Sequence, residues 1–206
     1  MKTLLFISLS LISSVSFAQK TRNYLVVKYD TTNQHRYRYV FTSQKGDTVT
    51  RLDTAKYYVC FSDTIQYFAI VGIKNKKGWW AIDKNEKPLF QVFNTSRGEP
   101  SPDELREGMI RIVNDSGKIG FANYRGDIVI KPQFAAASSF YKGKAIIGVR
   151  CQQVLWCCKG ENEDKHYMVN CKEAGYINKK GQVLKIGNLT FEQIQKEIGW
   201  KSDYKD

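Results

Sequence analysis

The stretch from Lys118 to Phe134, KIGFANYRGDIVIKPQF, decides the fold. An apolar run, Ile119 to Ala122, leads through Asn123 into a polar turn ending at Gly126, and a second apolar run, Ile128 to Ile130, follows. Two runs rich in β-branched and aromatic residues around a tight turn describe a β-hairpin, with glycine where the chain needs a positive φ.

Degraded copies of this hairpin recur along the chain. Ile119-Gly120-Phe121-Ala122-Asn123 lies over Trp79-Trp80-Ala81-Ile82-Asp83 at a spacing of 40 residues, and the same step back reaches Tyr39-Val40-Phe41-Thr42-Ser43. The turn glycine keeps this period at Gly46 and Gly126, with Glu86 in its place in the middle copy. A fourth copy, Ala174-Gly175-Tyr176-Ile177-Asn178 with its turn at Lys179-Lys180-Gly181, begins 55 residues after Ile119, an insert of about fifteen residues. A period of this size is the mark of a β-array in which each unit covers its neighbour's apolar face. The expected fold is all-β: tandem β-hairpin repeats of about 40 residues in an open array, closed by one short C-terminal helix.

KKGWWAIDKNEK and SGKIGFANYRGDIVIKPQF, the latter followed by FYKGKAIIGV, carry a family resemblance. They resemble the units of WG-containing β-repeat proteins: a Trp-Gly-aromatic-Ile-Asp strand, a glycine turn, an Ile-x-Pro-x-aromatic segment and a Phe-x-x-Gly-x-Ala-x-Val closing strand. The closing element stands at Tyr141 to Val149 and again at Arg106 to Val113. The match spans roughly residues 37 to 187. The literal Trp-Gly pair is missing from every copy, and Pro132 has no counterpart in the same register. The resemblance implies a tandem β-repeat protein of the bacterial envelope or exported space, with no catalytic residues to carry over.

At the N-terminus, Lys2, the apolar run Leu4 to Ile12, and Ser16 and Ala18 ahead of Gln19 read as a secretory signal peptide over residues 1–18. Its apolar run is too short to span a bilayer comfortably, and no cysteine follows the cleavage position. The expected organisation is a signal over 1–18, a β-repeat domain over 19–187, and a capping helix and tail over 188–206. Copies fall near 37–72, 77–113, 117–149 and 172–187, with a cysteine-rich insert at 150–171. The expected compartment is periplasmic or secreted, and no transmembrane segment is expected after cleavage.

Only Lys2 leaves with the signal, so 31 basic side chains face 20 acidic ones and the mature charge is +11. An exported chain is not expected to meet nucleic acid, and many lysines sit in turns, where solvated charge keeps strand edges soluble. Peripheral attraction to anionic surfaces needs only a long-range field. Twelve Tyr, eleven Phe and four Trp beside four Pro suit short aromatic strands.

Residues 21–30, TRNYLVVKYD, read as an opening strand, and 56–72 as two strands turning near Ser62-Asp63, with Cys60 an inert apolar thiol. Trp79 and Trp80 point to opposite faces of their strand and are the candidate binding residues. Residues 94–107, with Pro100 and Pro102, form the clearest loop, with a helical turn opening at Ser101 or Pro102.

Four of the five cysteines, Cys151, Cys157, Cys158 and Cys171, crowd the insert. In an oxidising compartment they read as disulfide candidates, with Cys151 to Cys171 the natural outer pair and at least one thiol left over. A zinc site from Cys151, Cys157 or Cys158, His166 and Cys171 fits no common zinc spacing, so no metal or cofactor is expected. In the tail, Thr190 caps a helix with Gln193 three residues on, Phe191, Ile194 and Ile198 share one face, and Gly199 ends it as a lid on the last repeat.

His35 and His166 are far apart, and no nucleophile elbow, metal-binding helix or phosphate loop is visible, so the chain does not read as an enzyme. Asp83, Asp115 and Asp127 sit at turns, where they serve backbone donors. The expectation is a non-catalytic binding module presenting a repeated β-surface to an envelope or extracellular protein or glycan. The alternative is a structural envelope-associated protein held by basic charge or an intermolecular disulfide.

Overall fold

A computed structural model of the chain describes residues 24–29, 37–53, 55–60, 66–95, 101–157 and 166–202. The signal segment, His35, the turn expected at Ser62-Asp63, Pro100 and Cys158 lie outside the described residues. The strands, in order, are β1 (Tyr24–Tyr29), β2 (Tyr37–Thr42), β3 (Thr48–Arg51), β4 (Tyr57–Cys60), β5 (Ala69–Ile73), β6 (Trp79–Ile82), β7 (Pro88–Val92) and β8 (Asn94–Thr95). They continue as β9 (Ser101–Pro102), β10 (Met109–Val113), β11 (Ile119–Asn123), β12 (Ile128–Phe134), β13 (Ala136–Ala137), β14 (Lys144–Cys157), β15 (His166–Asn178) and β16 (Val183–Gly187). One helix, α1 (Phe191–Ile198), follows among the described residues, and it is too short to cross a membrane.

All pairing is antiparallel, and the sheets are open: β1-β2-β3, β12-β11-β10-β7-β6-β5-β4, β13-β14-β15-β16 and the small β8-β9. Four three-stranded meanders stand out: β1-β2-β3, β5-β6-β7, β10-β11-β12 and β14-β15-β16, here units one to four.

Each unit turns between its second and third strands in the same way. The first turn residue, Ser43, Asp83, Asn123 or Asn178, accepts with its side-chain oxygen from the backbone N–H groups two and four residues on, at 2.8 to 3.3 Å. The fourth turn residue has positive φ: Gly46 at 86°, Glu86 at 60°, Gly126 at 79° and Gly181 at 79°. Short Ser, Asp and Asn side chains suit this role because they reach back to their own turn's donors. Register repeats as well: Phe41 opposes Thr50, Ala81 opposes Phe90, Phe121 opposes Ile130 and Tyr176 opposes Lys185, and in every case the next pair skips one residue of the third strand.

Glu86 pays the left-handed penalty of about 1 kcal/mol that glycine avoids. Tertiary contacts offset it, because the carboxylate accepts from the Tyr57 hydroxyl at 2.8 Å and from Lys56 Nζ at 3.0 Å.

The core is a chain of clusters, one at each junction. Phe41, Leu52, Tyr57, Val71 and Ile82 join units one and two, and Phe68, Ile70, Phe90, Ile110 and Ile112 join units two and three. Met109, Phe121, Ile130, Phe140, Ile147 and Ile177 join units three and four, and Ile146, Ala174 and Ile194 join unit four to α1. Period-two alternation does this sorting, since neighbouring strand residues face opposite junctions. Ala81 packs toward unit three while Ile82 packs toward unit one.

Glycine before the central aromatic has its own cause. A Cβ on Gly120 would strike the backbone at Ile130 and Pro132, and one on Gly175 would strike the Lys185 carbonyl. At the matching place in unit two stands Trp80, opposite Gln91.

Within 94–107, the described residues Ser101 and Pro102 differ from expectation. Ser101 and Pro102 form β9 against β8 instead of opening a helical turn. The Asp103 N–H bonds to the Phe93 carbonyl at 2.8 Å and Ser101's carbonyl accepts from Thr95 Oγ1 at 3.0 Å, so an extended pairing satisfies these groups first.

Candidate functional site

Unit four is where the plain array gives way to a cleft. The strand β14 begins at a two-residue turn, Lys142-Gly143, whose residues both have positive φ and whose flanks Tyr141 and Lys144 exchange backbone hydrogen bonds. Glu107-Gly108 makes the same turn ahead of β10. The two turns touch: Gly143 N–H donates to the Glu107 carboxylate at 2.9 Å, and Lys179 Nζ lies 3.1 Å from the same oxygen. Burial works against this charge, yet the Gly143 N–H and Lys179 outweigh it and hold the Glu107 carboxyl below its ordinary value.

Past Val149, β14 and β15 run on as a two-stranded ribbon to Cys157 and His166. Arg150 has a φ of 50°, a bend beside which Cys151 and Cys171 oppose each other and form a disulfide. A side chain at Gly148 would collide with both sulfurs, so glycine is what lets the bridge lie down on the sheet. The expected outer pair is thus formed, and it takes two of the four side chains that a zinc site would need. Cys157 opposes His166 further out on the ribbon. The described residues contain no cluster of three metal-binding side chains.

Helix α1 covers only the lower part of this sheet. Its capping box is complete, with Gln193 N–H donating to Thr190 Oγ1 at 3.2 Å and Thr190 N–H to Gln193 Oε1 at 2.7 Å, and Gly199 closes it at a φ of 63°. Ile194 is fully buried on Ile146 and Ala174, whereas Phe191 in the first turn stays 41% exposed. Trp200 donates its Nε1–H to the Ser139 carbonyl at 2.9 Å and meets Phe191 edge-on at 5.7 Å. Glu197 binds Lys185 at 2.7 Å and accepts from the Tyr176 hydroxyl, which ties the helix to β16. Lys185 lowers the Glu197 carboxyl and is itself raised by it.

The uncovered upper part is a cleft of about 560 Å³. Ala136 and Ala137 of β13, Gly148 of β14, Cys171 of β15, and Phe191 and Trp200 at the two ends of α1 line it. The far end rests on a buried ion pair. Asp103 accepts from Arg111 at its backbone N–H (2.9 Å), Nε (3.1 Å) and a terminal nitrogen (2.5 Å). The second terminal nitrogen donates to the Ala137 carbonyl at 3.1 Å, and the guanidinium lies 4.4 Å over the Phe93 ring. A bidentate pair satisfied in this way is a brace: it locks the 101–106 segment and β13 onto β10.

Trp79 and Trp80 lie elsewhere. Trp79 packs on the junction of units two and three, and Trp80 on that of units one and two. Trp80 also borders a shallow groove with Lys76, Gln91 and Asp115, under the Lys76 ammonium at 5.2 Å, and donates to the Lys77 carbonyl. Reading the sequence picked out this adjacent pair and missed Asp103, Arg111, Phe191 and Trp200. The available signal was Phe191, one turn ahead of the buried Ile194 and at the very start of a helix too short to cover it. Neither family models nor curated proteins give a match to this chain.

Proposed function

We propose that this chain is an exported, non-catalytic binding module of WG-like β-repeats, which offers an envelope or extracellular protein or glycan the cleft of its last unit. One observation carries the reading: a cleft of about 560 Å³ whose walls are braced by a disulfide, a buried ion pair and a capped helix. That volume falls within the range of small-ligand sites, and a braced wall loses little entropy on binding. The common turn and register of the four meanders support the repeat reading, and the disulfide supports an oxidising compartment.

The test is capture of envelope and secreted fractions of the producing cell on the immobilised, oxidised chain, with washes at low and high salt. A species retained through high salt, and lost from the Phe191→Ala chain, is the expected result. Complete elution by salt, equal for both chains, would instead leave association through basic charge.

A further inference from the structure

We infer that the ligand of this cleft is a neutral saccharide, a deepening that rests on the binding-module reading above. Charge is the first argument. The cleft's ionisable side chains cancel, Asp103, Glu104 and Glu192 against Arg106, Arg111 and Lys172, on a chain whose formal net charge is +12. A site shaped for a polyanion would concentrate the molecule's positive charge, and this one is a neutral window in it.

The second argument is the polar chemistry at the rim. The exposed side-chain amides of Asn170 and Asn188 border the cleft. Each amide offers donors and an acceptor together, the match for hydroxyl groups, which also do both. A purely apolar occupant would strip water from these amides and return nothing.

Shape supplies the third. Trp200 is held in place by its bond to the Ser139 carbonyl, and the exposed Phe191 ring stands edge-on to it. Ala136, Ala137 and Gly148 line the same cleft with small residues. A sugar ring is amphipathic in the same sense: its C–H face stacks on the electron-rich face of an aromatic ring while its hydroxyl edge seeks polar groups.

The experiment titrates the oxidised chain with short neutral glucan, mannan and chitin oligosaccharides, and in a parallel arm with neutral amphipathic peptides, following tryptophan fluorescence and amide chemical shifts. The variants are Phe191→Ala and the double Asn170→Ala, Asn188→Ala, both on exposed side chains and each checked by thermal melting against the parent. The expected result is saturable binding of at least one saccharide, insensitive to salt and weakened about tenfold or more in each variant. Peptide binding that Phe191→Ala weakens, with no saccharide bound, would overturn the saccharide and leave the module standing. If no probe binds in either arm, both readings fall.

Discussion

Units three and four are built on one plan and end differently. In unit three the central strand β11 is buried almost throughout: Ile119, Gly120, Phe121 and Ala122 have next to no exposure, because unit two packs on one face and unit four on the other. Unit four repeats the turn and the register, yet only its junction with unit three is filled to the same degree. Its opposite face meets a helix of eight residues, and where the helix stops the sheet continues as a cleft. The lesson is that a stacked β-unit is stabilised by its neighbours, so the last one exposes whatever its cap does not reach, and exposed concave surface is where binding becomes available.

The sharpest way to break this comparison is truncation at the matched central aromatic. Phe121→Ala, in the filled junction where Phe121 meets Phe140 at 4.7 Å, is expected to cost about 3–5 kcal/mol. Tyr176→Ala, half-buried under the cap, is expected to cost about 1–2 kcal/mol. Urea unfolding of both variants checks the ratio, and equal costs would mean that the helix covers unit four as fully as unit four covers unit three.

Next in size is the disulfide, which closes a loop with a sequence separation of 20 residues. The double Cys151→Ser, Cys171→Ser is expected to lose about 3 kcal/mol. Hydrogen exchange should rise in the β14–β15 ribbon while β10 and β11 keep their protection. Loss spread evenly over both units would contradict a brace local to the cleft.

The smallest effect concerns the contact that joins the two units. Because the folded Glu107 carboxyl is held below its ordinary value of 4.5, its stabilisation is present above that pH and fades as pH falls through the folded value. A Glu107→Gln chain should therefore show a shallower fall in melting temperature on acidification than the parent. Parallel curves would show that the Gly143 and Lys179 contacts add nothing.

Much of the plan was legible in residue order because it is local. A turn whose first side chain serves its own backbone, with glycine three positions on, is complete within five residues, and Ser43, Asn123 and Asn178 all announce it. The helix was equally plain, since Thr190, Gln193 and Gly199 act within two turns. The Cys151 to Cys171 pairing followed from the two ends of one hairpin. Glu86 shows the limit: its left-handed backbone is held by Tyr57 and Lys56, some thirty residues away. The cleft lies beyond that limit altogether, for it gathers Asp103, Ala136, Gly148, Cys171, Asn188 and Trp200 from five segments.

Periodicity, turn chemistry and capping residues are short-range signals, and they were sufficient for an all-β chain with one terminal helix and a disulfide across its insert. Which junctions are filled, why Ser101 and Pro102 pair as a strand, and where a braced cleft remains open were decided only by the folded chain. The physical reason is that burial and void are properties of surfaces brought together, and a sequence lists those surfaces without saying which of them will meet.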